Sequence, residues 1–130
     1  MKKSWRLTTL AVIAGLPAFL LAASPAAQAA QLVLFEGSWC PTCRHWNRTV
    51  GQQYSANEIG RLAPLRRVEI GTPRPASLDK PHIKTIYAVP TFVVMEGGHE
   101  VGRIEGFTSE KHFWKKLGEI LSTQKLASRK

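Results

Sequence analysis

The apolar positions along the chain fall into separate runs, and each run has its own period. Gln31-Leu32-Val33-Leu34-Phe35 is short and nearly continuous, which predicts a central strand covered on both faces. Glu36-Gly37-Ser38-Trp39 predicts a turn. Cys43, Trp46, Val50 and Tyr54 then recur at helical spacing while Arg44, Asn47 and Arg48 look outward, and Pro41 suits the first turn of that helix. After Gly60, Leu65 to Ile70 alternates as a half-buried strand. Pro73, Pro75 and Pro81 make Gly71 to Pro81 a loop, and His82 to Tyr87 is expected as a short helix. Val89 to Met95 reads as a strand entered through Pro90, Gly97-Gly98 as a hairpin turn, and Glu100 to Glu105 as the returning strand, closed by Gly106. Thr108 is the expected cap of a last helix with the face Phe113, Trp114, Leu117, Ile120 and Leu121; beyond Leu121 the polar chain is expected to fray. The order β-α-β-α-β-β-α, without an internal repeat, predicts an α/β fold on one small mixed sheet with helices on both faces.

The first 29 residues follow a different logic. Lys2, Lys3 and Arg6 precede an apolar stretch from Leu7 to Ala23, and Ser24-Pro25-Ala26-Ala27-Gln28-Ala29 ends in small residues with an Ala-x-Ala pattern. These are the parts of a cleavable signal peptide, with the cut expected after Ala29. A retained membrane anchor is the rival reading, since the run approaches bilayer-spanning length; Gly15, Pro17 and the Ala-Gln-Ala site weigh against it. No cysteine follows the run, so it lacks a lipoprotein anchor site. The expected organisation is a signal peptide over 1–29, one domain over 30–122 and a polar basic tail over 123–130. Periplasmic or secreted localisation follows, with membrane association only during export.

Taking Lys2, Lys3 and Arg6 from the 18 basic residues leaves 15 against 9 acidic ones, a formal +6 for the mature chain. The excess is spread over Arg44, Arg48, Arg61, Arg66, Arg67, Arg74, Lys80, Lys84 and the tail. It carries no groove-reading motif, so nucleic acid is not an expected partner. A solvated basic surface accounts for the charge, and steering toward acidic partners is the functional alternative.

Only two cysteines are present, Cys40 and Cys43. A bond across so short a loop removes little chain entropy, so the pair reads as a redox device and not as a staple. Disulfide exchange needs a reachable thiolate and a second thiol that can release it. Cys40 falls at the predicted helix N-terminus, where unpaired N–H groups and the helix dipole favour a negative sulfur; Cys43 lies one turn further in. Cys40 is therefore assigned as nucleophile and Cys43 as resolving thiol. A zinc knuckle would need two further ligands, while His45, His82, His99 and His112 are scattered; c-type haem would need histidine where Arg44 stands. No cofactor is expected. An inert structural disulfide stays open as an alternative.

The strand ending in Phe35, then Trp39-Cys40-Pro41-Thr42-Cys43, Val89-Pro90-Thr91 before a strand, and Gly106 before the last helix together resemble the thioredoxin family over essentially the whole mature chain. The resemblance implies a thioredoxin fold, a cis-proline at Pro90 facing the cysteine pair, and a substrate groove formed by Trp39, Pro41, Thr42, Val89, Pro90 and Gly106. In that groove the Val89 backbone would meet an extended partner segment. Pro41-Thr42 is similar to the dipeptide of thioredoxins that serve cytochrome c maturation, which reduce. Ala63 to Ile70, Glu100 to Phe107 and Phe113-Trp114 resemble the short periplasmic SoxS-type thioredoxins of sulfur-oxidising bacteria. That resemblance implies a role in keeping the carrier cysteine of the sulfur-oxidation machinery reduced. Leu34 stands where thioredoxins place a buried aspartate. Glu36, two residues on and on the same strand face, is a candidate replacement in proton relay, against an ordinary loop-edge carboxylate. His45 is a candidate for tuning the thiolate, against a solvated helix histidine.

The leading function is a thiol–disulfide oxidoreductase that reduces a partner protein's cysteine and is itself re-reduced by a membrane thiol carrier. An oxidase or isomerase, and a non-catalytic binding or chaperone module using the groove beside Pro90, are the alternatives.

Overall fold

The structure, a computed structural model, describes residues 30–127. The expected signal peptide and the last three residues of the tail lie outside the described residues. Four strands form one sheet: β1 (Gln31–Glu36), β2 (Leu65–Glu69), β3 (Thr91–Glu96) and β4 (His99–Glu105). They lie in the order β2-β1-β3-β4, with β1 parallel to β2 and antiparallel to β3, and β4 antiparallel to β3. The helices are α1 (Pro41–Thr49), α2 (Glu58–Leu62) and α3 (Glu110–Ala127), with 3-10 turns at Gly51–Ala56 and Ala76–Leu78.

β1 and β3 are buried on both faces, which explains their unbroken apolar sequences. Leu32, Leu34, Phe92 and Val94 face one core with Trp46, Val50, Tyr54, Phe113 and Leu117 from the helical side. Trp46 is its centre, with the Phe92 and Phe113 rings 5.1 and 5.6 Å away. Val33, Phe35, Val93 and Met95 face a second core closed by Val68, Leu78 and Ile83. Burying both faces of the inner strands is the main stabilising term, about 1.5–3 kcal/mol for each large side chain removed from water.

The second face differs from the expected helix on each face: among the described residues it is covered by the segment between β2 and β3, with a 3-10 turn and no α-helix. His82 to Tyr87 is not helical; the one helical turn there comes earlier, at Ala76–Leu78. Its carbonyls are taken by β4 instead of by the following turn. Glu100 N–H donates to the His82 carbonyl at 3.0 Å, and the Arg103 guanidinium reaches those of Lys84 and Thr85, each at 3.2 Å. Pro75 and Pro81 remove two further donors.

The first helix also ends sooner than the apolar period suggests. After Thr49 the chain tightens into the 3-10 turn that carries Tyr54, whose hydroxyl donates to the Ala63 carbonyl at 2.7 Å. α2 is too short to show a helical period in the sequence; Asn57 caps it, its side chain accepting the Ile59 N–H at 2.9 Å. Gly60 is required there, because a Cβ would run into the Tyr54 carbonyl. At the last helix, Ser109 and not Thr108 is the cap, its hydroxyl accepting the His112 N–H at 3.2 Å. That helix runs on to Ala127, beyond the point where fraying was expected. α3 packs close on β4: a Cβ on Gly102 would lie 2.6 Å from the Ile120 side chain.

Candidate active site: the disulfide at the start of the first helix

β1 ends at Glu36 and delivers the chain into a tight turn before α1. Cys40 N–H donates to the Gly37 carbonyl at 3.0 Å, closing that turn. Both ends of the Ser38 peptide are held as well: its N–H donates to Glu69 Oε1 at 2.8 Å, and its carbonyl accepts from Arg44 Nη1 at 3.0 Å. The Trp39 indole lies over Gly37, where a Cβ would come within 2.8 Å of the ring, yet Trp39 remains 67% exposed.

Cys40 is the N-cap of α1 and Pro41 occupies the first helical turn. The two cysteines are joined as a disulfide, with Cα atoms 5.2 Å apart. Cys40 Sγ accepts the Cys43 N–H at 3.1 Å, so a backbone donor freed by the helix start points at the sulfur that would carry charge after reduction. Both cysteines are nearly buried, at 3% and 2% exposed, so access does not distinguish them; their places on the helix do. Pro41 and Thr42, between them, are exposed.

The β3 side of the site is built by the chain entering that strand. Cys40 Sγ lies 3.7 Å from the Val89 carbonyl oxygen. The Val89–Pro90 peptide is cis, Pro90 is buried, and its carbonyl accepts the Gly106 N–H at 2.8 Å. Gly106 has φ +74, a left-handed conformation that suits glycine. Thr91, a buried polar side chain, donates its hydroxyl to the Ala88 carbonyl at 2.7 Å and fixes the approach to Pro90. Three segments remote in sequence, around Cys40, Val89 and Gly106, thus meet at one place.

Glu36 is drawn into a different set of contacts. One oxygen pairs with Arg67 Nη1 at 2.8 Å and the other accepts from Asn47 Nδ2 at 2.9 Å, while the Asn47 oxygen accepts from Arg67 at 2.7 Å. The three side chains tie β1, β2 and α1 together, and the Arg67 guanidinium also lies 5.7 Å from the Trp46 ring centre. Leu34 is fully buried in the apolar core. His45 is exposed and its ring lies 5.5 Å from that of Phe107.

Sequence reasoning missed Arg44 and Glu69 as holders of the turn, since neither lies at a spacing that marks them. It also missed the bidentate pair of Arg103 with Glu100, at 2.6 and 2.7 Å, which fixes the loop leading to Val89. Only the excess of arginine offered a hint.

Residues 20–121 match the family model of the thioredoxin-like domain. The chain belongs to the thioredoxin-like family. With the Cys40–Cys43 pair at the helix start, this member is a thiol–disulfide oxidoreductase. Among solved structures it is similar to the periplasmic thioredoxin SoxS from Paracoccus pantotrophus, with 34% identity, 72% of this chain and 96% of that one covered, and a TM-score of 0.64. It is similar also to a thioredoxin from Thermus thermophilus, with 27% identity, 72% and 77% covered, and a TM-score of 0.53. Trxlp from Edwardsiella tarda gives 26%, 71% and 84%, and 0.54. No curated protein matches the chain. Among the described residues, no helix is long and apolar enough to cross a membrane.

Proposed function

We propose that this oxidoreductase is exported, loses residues 1–29, and acts in the periplasm as a dithiol reductant of a partner protein's cysteine. Cys40 is the nucleophile and Cys43 the resolving thiol. The Cys40 thiolate attacks one sulfur of the partner's disulfide, and the other sulfur leaves as a thiolate that takes up a proton. Cys43, losing its proton, then attacks Cys40 Sγ, and the partner's sulfur departs. Two electrons pass to the partner, whose two sulfurs take up the proton lost by Cys43 and one from solvent that replaces the proton Cys40 gave up on ionising, and the Cys40–Cys43 disulfide remains. A membrane thiol carrier returns the two electrons. Trp39, Pro41, Thr42, Val89, Pro90 and Gly106 border the groove, with the Val89 backbone offered to an extended partner segment. Similarity to a periplasmic thioredoxin SoxS supports the compartment; the partner we assign, the sulfur carrier of a sulfur-oxidation system, rests on the sequence resemblance of Ala63 to Ile70, Glu100 to Phe107 and Phe113-Trp114 to SoxS-type thioredoxins.

The observation that carries the direction is the 3.1 Å contact from the Cys43 N–H to Cys40 Sγ, with no charged side chain between the cysteines. A thiolate held by the helix start, with no charge placed between the two cysteines, stabilises the reduced form moderately, so the midpoint is expected below roughly −200 mV, far from the about −120 mV of the strong periplasmic oxidant. Equilibration of the purified protein with dithiothreitol or glutathione buffers, read by thiol alkylation, measures it. A midpoint near the strong oxidant would make the protein an oxidase; equal insulin reduction by wild type and Cys40→Ser would leave a module without turnover. N-terminal sequencing of the exported protein should begin at Ala30.

A further inference from the structure

A cation anchored on the turn before the disulfide has no acidic counterpart among the described residues. Arg44 follows Cys43 directly, and its guanidinium folds back to the Ser38 carbonyl at 3.0 Å, onto the turn that bears Trp39 and Cys40. The residue is exposed, one of its five N–H donors is engaged there, and among the described residues no carboxylate lies within ion-pair distance of it. Other arginines near this end of the sheet are neutralised: Arg67 by Glu36 and Arg74 by Asp79. Glu69, the β2 acid that reaches this turn, accepts the Ser38 N–H with one oxygen. Arg48, exposed one turn along α1, adds a second positive charge to the same helix.

The turn that anchors Arg44 also carries Trp39, which lines an apolar cleft of about 130 Å³ together with Ile70, Ile86, Tyr87, Ala88 and Val89. Trp39 and Tyr87 stand 67% and 87% exposed, so together they leave an apolar surface uncovered on this side of the site. The cleft has room for one apolar side chain. The Val89 carbonyl, 3.7 Å from Cys40 Sγ, joins cleft and disulfide.

We propose that this rim selects partner segments in which the reactive cysteine is flanked by an apolar residue and by carboxylates, the apolar side chain entering the cleft and a carboxylate engaging the free donors of Arg44. The inference rests on the disulfide exchanging with a protein partner, as read above. Arginine suits this because its planar fork binds a carboxylate in bidentate fashion while one edge stays anchored on Ser38. The mature excess of positive charge, formally +6, steers the same partners toward the protein, but Arg44 makes the choice local.

The test uses three synthetic peptide disulfides with one apolar residue beside the cysteine and flanks of Asp, Ser or Lys. The reduced protein is mixed with each under single-turnover conditions. The Asp peptide should react about fivefold faster than the Lys peptide at low salt, a gap that shrinks at high salt. Arg44→Glu should abolish or invert that order and Arg44→Lys keep part of it. Arg61→Glu, the same change in net charge placed on α2, should preserve it. Equal rates for Asp and Lys peptides in the wild type, or an Arg61→Glu effect as large as that of Arg44→Glu, would overturn the proposal. If none of the peptides is reduced, the reductant reading fails and not the rim: the oxidised protein is then mixed with the dithiol forms, where the charge order must reappear or the proposal falls.

Discussion

At Cys40 and Cys43 the decisive feature is which sulfur the helix start addresses. Cys40 Sγ accepts the Cys43 N–H, and Cys43 is the residue one turn inward. The helix dipole acts over the first turn only, so it favours the thiolate of the cap. Cys43→Ser should therefore accumulate mixed disulfides with partner proteins, seen as dithiothreitol-sensitive bands, while Cys40→Ser accumulates none. Equal trapping by both variants would remove the assignment of roles. Glu36 shows how a neighbourhood limits a side chain: both its oxygens are engaged by Arg67 and Asn47. Any proton it passes to or from the site must cost part of that network.

At the scale of elements, the segment between β2 and β3 is held less by its own conformation than by β4. Arg103 grips Glu100 with two bonds and the carbonyls of Lys84 and Thr85 with two more, while Glu100 also accepts the Lys84 N–H at 2.8 Å. Burial pushes the Glu100 carboxyl up, but Arg103 and the Lys84 N–H outweigh it and hold the group below its ordinary value of 4.5. A carboxyl depressed in the folded state stabilises fully above its unfolded value. That contribution is lost as pH falls through the folded value, so it should fade below about pH 4.5. Arg103→Met leaves Glu100 buried without its partner, at a cost of about 2 kcal/mol, between the values for exposed and fully buried pairs. Chemical unfolding at pH 7 should show the loss, and the difference from wild type should narrow toward pH 3. A constant difference across that range would mean that Arg103 acts by packing alone.

For the whole molecule, the question is whether the fold survives the loss of the disulfide that its chemistry requires. The bonded cysteines enclose only two residues, and both core clusters, one under the helices and one under the segment between β2 and β3, are assembled without them. The chain-entropy contribution of such a loop is at most about 2 kcal/mol. For a domain of this size that corresponds to a fall in melting temperature of no more than roughly 15 °C. The reduced protein should keep its circular dichroism spectrum at room temperature and melt cooperatively. Unfolding on reduction would recast the pair as a structural staple and defeat any catalytic cycle.

The amino-acid sequence by itself determined the inner strands, the helix that starts at the cysteine pair, the hairpin at Gly97-Gly98 and the place of the redox chemistry. Each of these rests on local information: a continuous apolar run, a proline in a first helical turn, a glycine pair, two cysteines one turn apart. The tertiary structure alone decided three further things. The chain before Pro90 is not a helix, because β4 claims its carbonyls through Glu100 and Arg103. Glu36 is bound into a network with Arg67 and Asn47, since the parallel pairing of β1 with β2 and the packing of α1 bring these side chains together. Arg44 is held on the turn before Cys40, without an ion pair among the described residues, because that turn presents the Ser38 carbonyl to it. All three depend on groups far apart in the chain, and no spacing along one element encodes which distant backbone group or charge a side chain will meet.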